Sequence, residues 1–183
     1  MDAAPRRVTS SSTGAPLDLG PMPSDRLMRT VDELVVRAPL ARIFALAADV
    51  ERWPSHLSHY RYVRFLERRA DGGGVVEMSA NRPFGGVSWP TFWTSLMSVT
   101  APGKAGTAPA IRFRHIRGVT AGMDVEWSFA NSTAGTLVRI VHLWNGPPWP
   151  LIGEVAARGV IGPVFVHGIA SRTLAGLGRA AER

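Results

Sequence analysis

Residues 35–60 read VVRAPLARIFALAADVERWPSHLSHY, and this stretch decides the fold. An extended segment ends at Ala38. Pro39 follows where a helix would begin, the one place its missing N–H leaves no helical bond unmade. Leu40, Ile43, Phe44 and Ala47 then recur at helical spacing. Asp49 ends that helix and caps a second short one, which contains Trp53-Pro54 and runs to about Leu57. The stretch thus predicts the end of a strand, two short helices and a return to extended chain at Tyr60.

Upstream, Thr30 to Ala38 reads as the strand, with Val31, Leu34 and Val36 as its apolar content. Residues 1–28 are rich in Ser, Pro, Gly and Ala without any period, and read as a flexible tail; one domain is expected over 29–183. Downstream, apolar alternation and turn residues predict six more strands: Tyr60–Arg69, Val75–Asn81, Trp89–Val99, Ile111–Arg117, Met123–Phe129 and Thr136–Trp144. Short Gly-rich turns between most of them argue for one antiparallel meander. Trp149 to Glu182 reads as a closing helix, apolar at Leu151, Val155, Ile161, Phe165, Ile169 and Leu174. Six glycines interrupt it, and Gly162-Pro163 predicts a kink. The glycines let a helix approach a sheet closely, or leave room for a ligand. The expected class is α+β: a curved seven-stranded antiparallel sheet around one long helix.

Strand parity assigns faces. Met123, Val125, Trp127 and Phe129 share one face, and Ile111, Phe113 and His115 share another. Opposite them, Arg112 and Arg114 should meet Asp124 and Glu126 across a solvent-exposed surface. The inward set is Trp89 or Trp93, then Ser95, Met97, His115, Met123, Trp127, His142 and Trp144. With Trp53 and Phe165 this predicts a ligand cavity walled by aromatic rings and sulfur, with a few polar groups to orient a guest. His115 and His142 are candidates for general acid or base, because imidazole titrates near neutral pH. Each could equally be a hydrogen-bonded core histidine.

Composition excludes several classes. With no cysteine among 183 residues, disulfides, thiol nucleophiles and thiolate metal sites are out. No set of histidines and carboxylates has the spacing of a three-ligand metal site, and no cofactor is expected. Gly72-Gly73-Gly74 lacks the lysine and the strand–loop–helix setting of a phosphate loop, and no nucleophile elbow is present. The net charge of +7 comes almost wholly from arginine, spread along the chain without a dense run, which argues against nucleic acid. No stretch approaches the ~20 apolar residues of a membrane span. Thr9 to Thr13 occupy the place where a signal peptide needs apolar residues, so a cytoplasmic protein is expected.

Ala38-Pro39, Trp53-Pro54, Gly135-Thr136 before the last strand and the terminal helix together resemble the START-like (helix-grip, Bet v 1-type) superfamily, in particular its polyketide cyclase/dehydrase and coenzyme Q-binding branches. The resemblance covers about residues 30–182. It implies a helix-grip fold and an internal cavity for a hydrophobic small molecule: a polyketide, a quinone or a lipid. Compared with polyketide aromatase/cyclases, the spacing from Trp53 to Tyr60 and the Trp93-x-Ser95 pattern match. In those enzymes an arginine two residues further along is implicated in catalysis, and here that position is Met97. A thioether donates no hydrogen bond and cannot offset an enolate charge. Arg82 shares parity with Val76 and Met78, and joins Tyr60, His115 and His142 as a proton-handling candidate. The resemblance therefore implies cyclisation or dehydration of a poly-β-ketone chain, or a non-catalytic carrier of quinone or lipid. An interaction module with a vestigial cavity is a third reading. The segment Asn145-Gly146-Pro147-Pro148-Trp149-Pro150 is a candidate lid or transient membrane contact.

Overall fold

The computed structural model describes residues 14–84, 87–103, 106–147 and 166–183, with backbone only for 82–84, 87 and 88. Strand β1 (Met28–Val36) leads into helix α1 (Leu40–Ala48), a 3-10 turn at Val50–Arg52 and helix α2 (Trp53–His56). Six strands follow: β2 (Tyr60–Arg68), β3 (Gly74–Phe84), β4 (Val87–Thr100), β5 (Ala110–Gly118), β6 (Asp124–Ser132) and β7 (Gly135–Trp144). Helix α3 (His167–Glu182) closes the chain. The segment in which Phe165, the Gly162-Pro163 kink and the first half of the expected terminal helix fall lies outside the described residues.

All strands form one antiparallel sheet in the order β1-β7-β6-β5-β4-β3-β2. β1 and β2 are neighbours in sequence but occupy opposite edges, so α1 and α2 must carry the chain across the sheet's inner face. Register breaks at Tyr60/Tyr62, Phe65/Glu67 and Thr94/Ser95 bend the sheet around that face.

Two of the sequence patterns meet in space. Gly135 has φ of +135°, and a Cβ there would strike the carbonyl of Val36. The next residue, Thr136, donates its buried hydroxyl to the Ala38 carbonyl at 2.8 Å. Gly135-Thr136 thereby fastens β7 to the turn that starts α1. Pro39 is the N-cap of α1, its carbonyl accepting from Arg42 and Ile43. Asp49 closes α1 without a side-chain capping bond.

α3 packs on β1 and α1 through Ala170, Leu174, Leu177 and Ala181. A Cβ at Gly176 would collide with Leu57, and one at Gly178 would sit 3.1 Å from Leu34. These two glycines serve close approach, while Gly168 faces open space.

On the outer face, Arg112 and Arg114 meet Glu126 and Asp124 as the alternation requires. Asp124 is nevertheless buried, not solvent-exposed, because chain N-terminal to β1 covers it. Arg114 bonds both Asp124 (2.8 Å) and the Leu19 carbonyl (3.0 Å), Arg26 approaches Asp124 at 3.9 Å, and Arg112 bonds the Gly20 carbonyl. Leu19 itself is buried. Residues read as tail thus lie, in their described part, along the back of the sheet. Their lack of periodicity hid this, since irregular chain can be held by arginines reaching out from the strands.

Candidate functional site

Between the inner face and α3 lies a cavity of about 60 Å³. Its walls are mainly apolar and aromatic: Trp53 from α2, Met78, Trp93, Phe113, Val125, Trp127 and Ile140 from the strands, Met123 just before β6, and Val166, Ile169 and Ala170 from the helix side. Tyr60, His115, Thr120, His142 and Thr173 add the polar groups. The sequence reading expected a guest-sized hollow. This space holds a few waters and falls well short of the ~300–1,000 Å³ of most ligand pockets. The indoles account for the difference: Trp53 stands 5.6 Å from Trp127, 6.3 Å from Phe113 and 5.2 Å from Tyr60, ring centre to ring centre.

Of the residues proposed from sequence, Trp53, Tyr60, Trp93, His115, Met123, Trp127 and His142 come together on this cavity. Ser95, Met97 and Trp144 do not line it. Their parity is inward, but parity does not fix position along a strand. Ser95 and Met97 lie further along β4, Met97 opposite Gly74 and Phe113, and both are fully buried in the core. The Ser95 hydroxyl has no hydrogen-bond partner among the described residues. Trp144 is also core, its indole N–H donating to the Ala121 carbonyl at 2.9 Å. Trp93 is the inward tryptophan, and Trp89 is 57% exposed. Arg82 pairs with Trp89 along the backbone, and its side chain is outside the described set, as is Phe165.

The polar groups are held in place. His115 Nδ1 lies 2.7 Å from the Thr120 hydroxyl, and the imidazole stacks on Trp93 at 5.9 Å. Thr120 sits in the Gly118–Gly122 turn, so that turn orients the histidine. His142 Nδ1 is 3.2 Å from the Thr30 hydroxyl. His59 Nε2 lies 3.1 Å from the Thr173 hydroxyl of α3.

The sequence reading missed Asp32 and His167. Asp32 is buried on the inner face of β1, with His167 Nδ1 at 2.5 Å from its Oδ1. Its Oδ2 has no hydrogen-bond partner among the described residues. Burial pushes the Asp32 carboxyl above its ordinary range, and the charge and hydrogen bond of His167 pull it back. Its β-partner Ile140 lines the cavity, and so does Val166 beside His167. The signal was available: strict alternation puts Thr30, Asp32, Leu34 and Val36 on one face, whereas Val31 belongs to the other. Among the described residues, no three potential metal ligands cluster.

The chain is similar in fold to several solved structures. An aromatase/cyclase, Zhui, from Streptomyces sp. R1128 shares 20% identity at a TM-score of 0.69, over 85% of this chain and 94% of that one. TTHA0849 from Thermus thermophilus shares 18% at 0.69, over 84% and 97%. A START superfamily protein from Mycobacterium smegmatis shares 18% at 0.54, over 84% and 94%. These likenesses bear out the α+β helix-grip fold. No curated protein matches. The family model described as polyketide cyclase / dehydrase and lipid transport matches residues 36–165, most of the chain. The protein belongs to that family.

Proposed function

We propose that this protein binds a hydrophobic small molecule between its sheet and α3, in the manner of a polyketide cyclase. The observation that carries the reading is the cavity wall, where indoles and thioethers surround the few fixed polar groups Tyr60, His115 and His142. Such a site draws a guest by burial and orients it by hydrogen bonds. Because the space is about 60 Å³, a drug-sized guest fits only as the walls give way. Met78 and Met123 are the most adaptable of them.

As an enzyme, the protein would fold a poly-β-ketone chain and close or dehydrate a ring. Holding the reacting carbons together supplies much of the rate. His115, steadied by Thr120, would move the proton, and Tyr60 and Arg82 would bind carbonyl oxygens. A second reading, a non-catalytic carrier of quinone or lipid, is favoured by Met97. The position implied to hold a catalytic arginine carries a thioether sealed in the core.

Extraction of ligand from the protein purified from its host, followed by mass spectrometry, tests the shared claim. Turnover of a poly-β-ketone mimic then separates the two. Turnover lost in Tyr60→Phe and His115→Gln supports the cyclase. A co-purifying quinone or lipid without turnover supports the carrier. Failure of every apolar probe to bind at millimolar concentration would remove both.

A further inference from the structure

β3 and β4 outrun their neighbours. β2 begins at Tyr60, opposite Ala80, and β5 ends at Gly118, opposite Trp93. Beyond those points the β3–β4 pair continues as a two-stranded ribbon through the Asn81↔Pro90, Arg82↔Trp89 and Phe84↔Val87 partners. The four residue pairs from Asn81↔Pro90 to Phe84↔Val87, at ~3.3 Å each, project ~13 Å past the sheet. Large apolar side chains stand exposed at this end: Trp89 at 57% and Phe92 at 65% on β4, Ile116 at 43% and Val119 at 52% on and just after β5. Each of the last three adjoins a cavity residue in sequence, namely Trp93, His115 and Thr120. The exposed apolar surface and the cavity therefore share one end of the molecule. Exposed arginines flank it, Arg61 at the start of β2 and Arg117 at the end of β5, in a chain of net charge +7.

We propose that this end of the sheet docks on an anionic lipid bilayer. The Trp89 indole on the projecting ribbon matches the headgroup region, where rings with one polar edge reside, and Phe92 at the ribbon's base adds apolar surface. Flanking arginines match the negative surface potential. A reach of ~13 Å matches the 5–10 Å depth typical of interfacial elements. Docking there would let a lipid-soluble guest pass between bilayer and cavity without crossing water. That purpose rests on the function proposed above, but the docking itself does not.

The test is sedimentation of the full chain with large vesicles of phosphatidylcholine, with and without phosphatidylglycerol. The protein is expected to pellet with the anionic vesicles, to release in high salt, and to shift its tryptophan emission to the blue. Trp89→Ser with Phe92→Ser should weaken binding about tenfold or more. Arg61→Gln with Arg117→Gln should weaken it several-fold and flatten the salt dependence. These positions are exposed, so the melting temperature should hold. No binding to anionic vesicles, or equal binding by the Trp89/Phe92 variant, overturns the proposal. So does a parent dimer, dissolved by that variant, that never associates with vesicles. The vesicles carry no cavity guest, so this failure would leave the cavity assignment standing, and an unliganded cavity would leave docking standing.

Discussion

Trp53→Ala removes the indole on which the cavity wall converges. Trp53 is 2% exposed, contacts Tyr60, Phe113 and Trp127, and donates its N–H to the Leu46 carbonyl of α1 at 3.2 Å. Large-to-small truncation of a buried tryptophan costs about 3–5 kcal/mol, and loss of the part-buried hydrogen bond to Leu46 adds to it, for a total of about 4–6 kcal/mol. An unfolding entropy of ~2.1 cal/mol/K per residue makes this a fall of ~10–15 °C in Tm for a chain of this size. Trp53→Phe keeps a ring but loses the donor, and should cost about 1–2 kcal/mol. Denaturant unfolding and calorimetry measure both. Indole should raise the Tm of the alanine variant and not that of the parent, because only the variant has a ring-shaped space beside an existing hollow. An alanine variant within about 1 kcal/mol of the parent and indifferent to indole would show that the wall collapses freely, and the argument from rigid aromatic packing would fail.

Two further outcomes follow from the buried charges. His167→Ala strips Asp32 of the partner that draws its pKa down, leaving burial to raise it further. A carboxyl with a raised folded-state pKa makes folding less favourable as pH rises from the unfolded value of 3.8 through the folded one, and its penalty vanishes below both. The variant should therefore match the parent near pH 4 and fall behind it by about 1–2 kcal/mol by pH 6, read from melts at the two pH values. A constant difference across that range would refute the role of the pair. Met97→Arg restores the residue type that the cyclase comparison implies at this position, but into a site with no exposure. It should destabilise by at least about 3–5 kcal/mol and gain no turnover, because Met97 is fully buried and does not itself line the cavity. A stable, active Met97→Arg would overturn the placement of β4.

The layout of this fold was legible because each element carries its own local signal. Pro39 and Trp53-Pro54 bracket the two short helices, period-two alternation marks β5, β6 and β7, and apolar runs between turn residues mark the other strands. Much of the site followed from the same alternation, which turned Trp93, His115, Trp127 and His142 inward. What alternation does not encode is distance along a strand. Hence Ser95 and Met97 were grouped with Trp93, although they pack deep in the core. Asp32 is hidden among the apolar residues of its strand, because Val31, Leu34 and Val36 do not share one face and so do not mark it as inward. The size of the hollow was not legible either, since it depends on how four aromatic rings settle against one another.

The edge-to-edge placement of β1 and β2 bears on how the chain is made. Thr30 and His142, bonded in the finished sheet, are separated by 112 positions. During synthesis β2 through β6 can zip up hairpin by hairpin, while β1 must wait for β7 to clear the ribosome. Until then its inner face, with Asp32, has no partner strand, and α1 has no floor. The newborn chain therefore passes through a stage in which its first-made strand is its last to be sheltered, a window in which a chaperone or a neighbouring nascent chain can reach it.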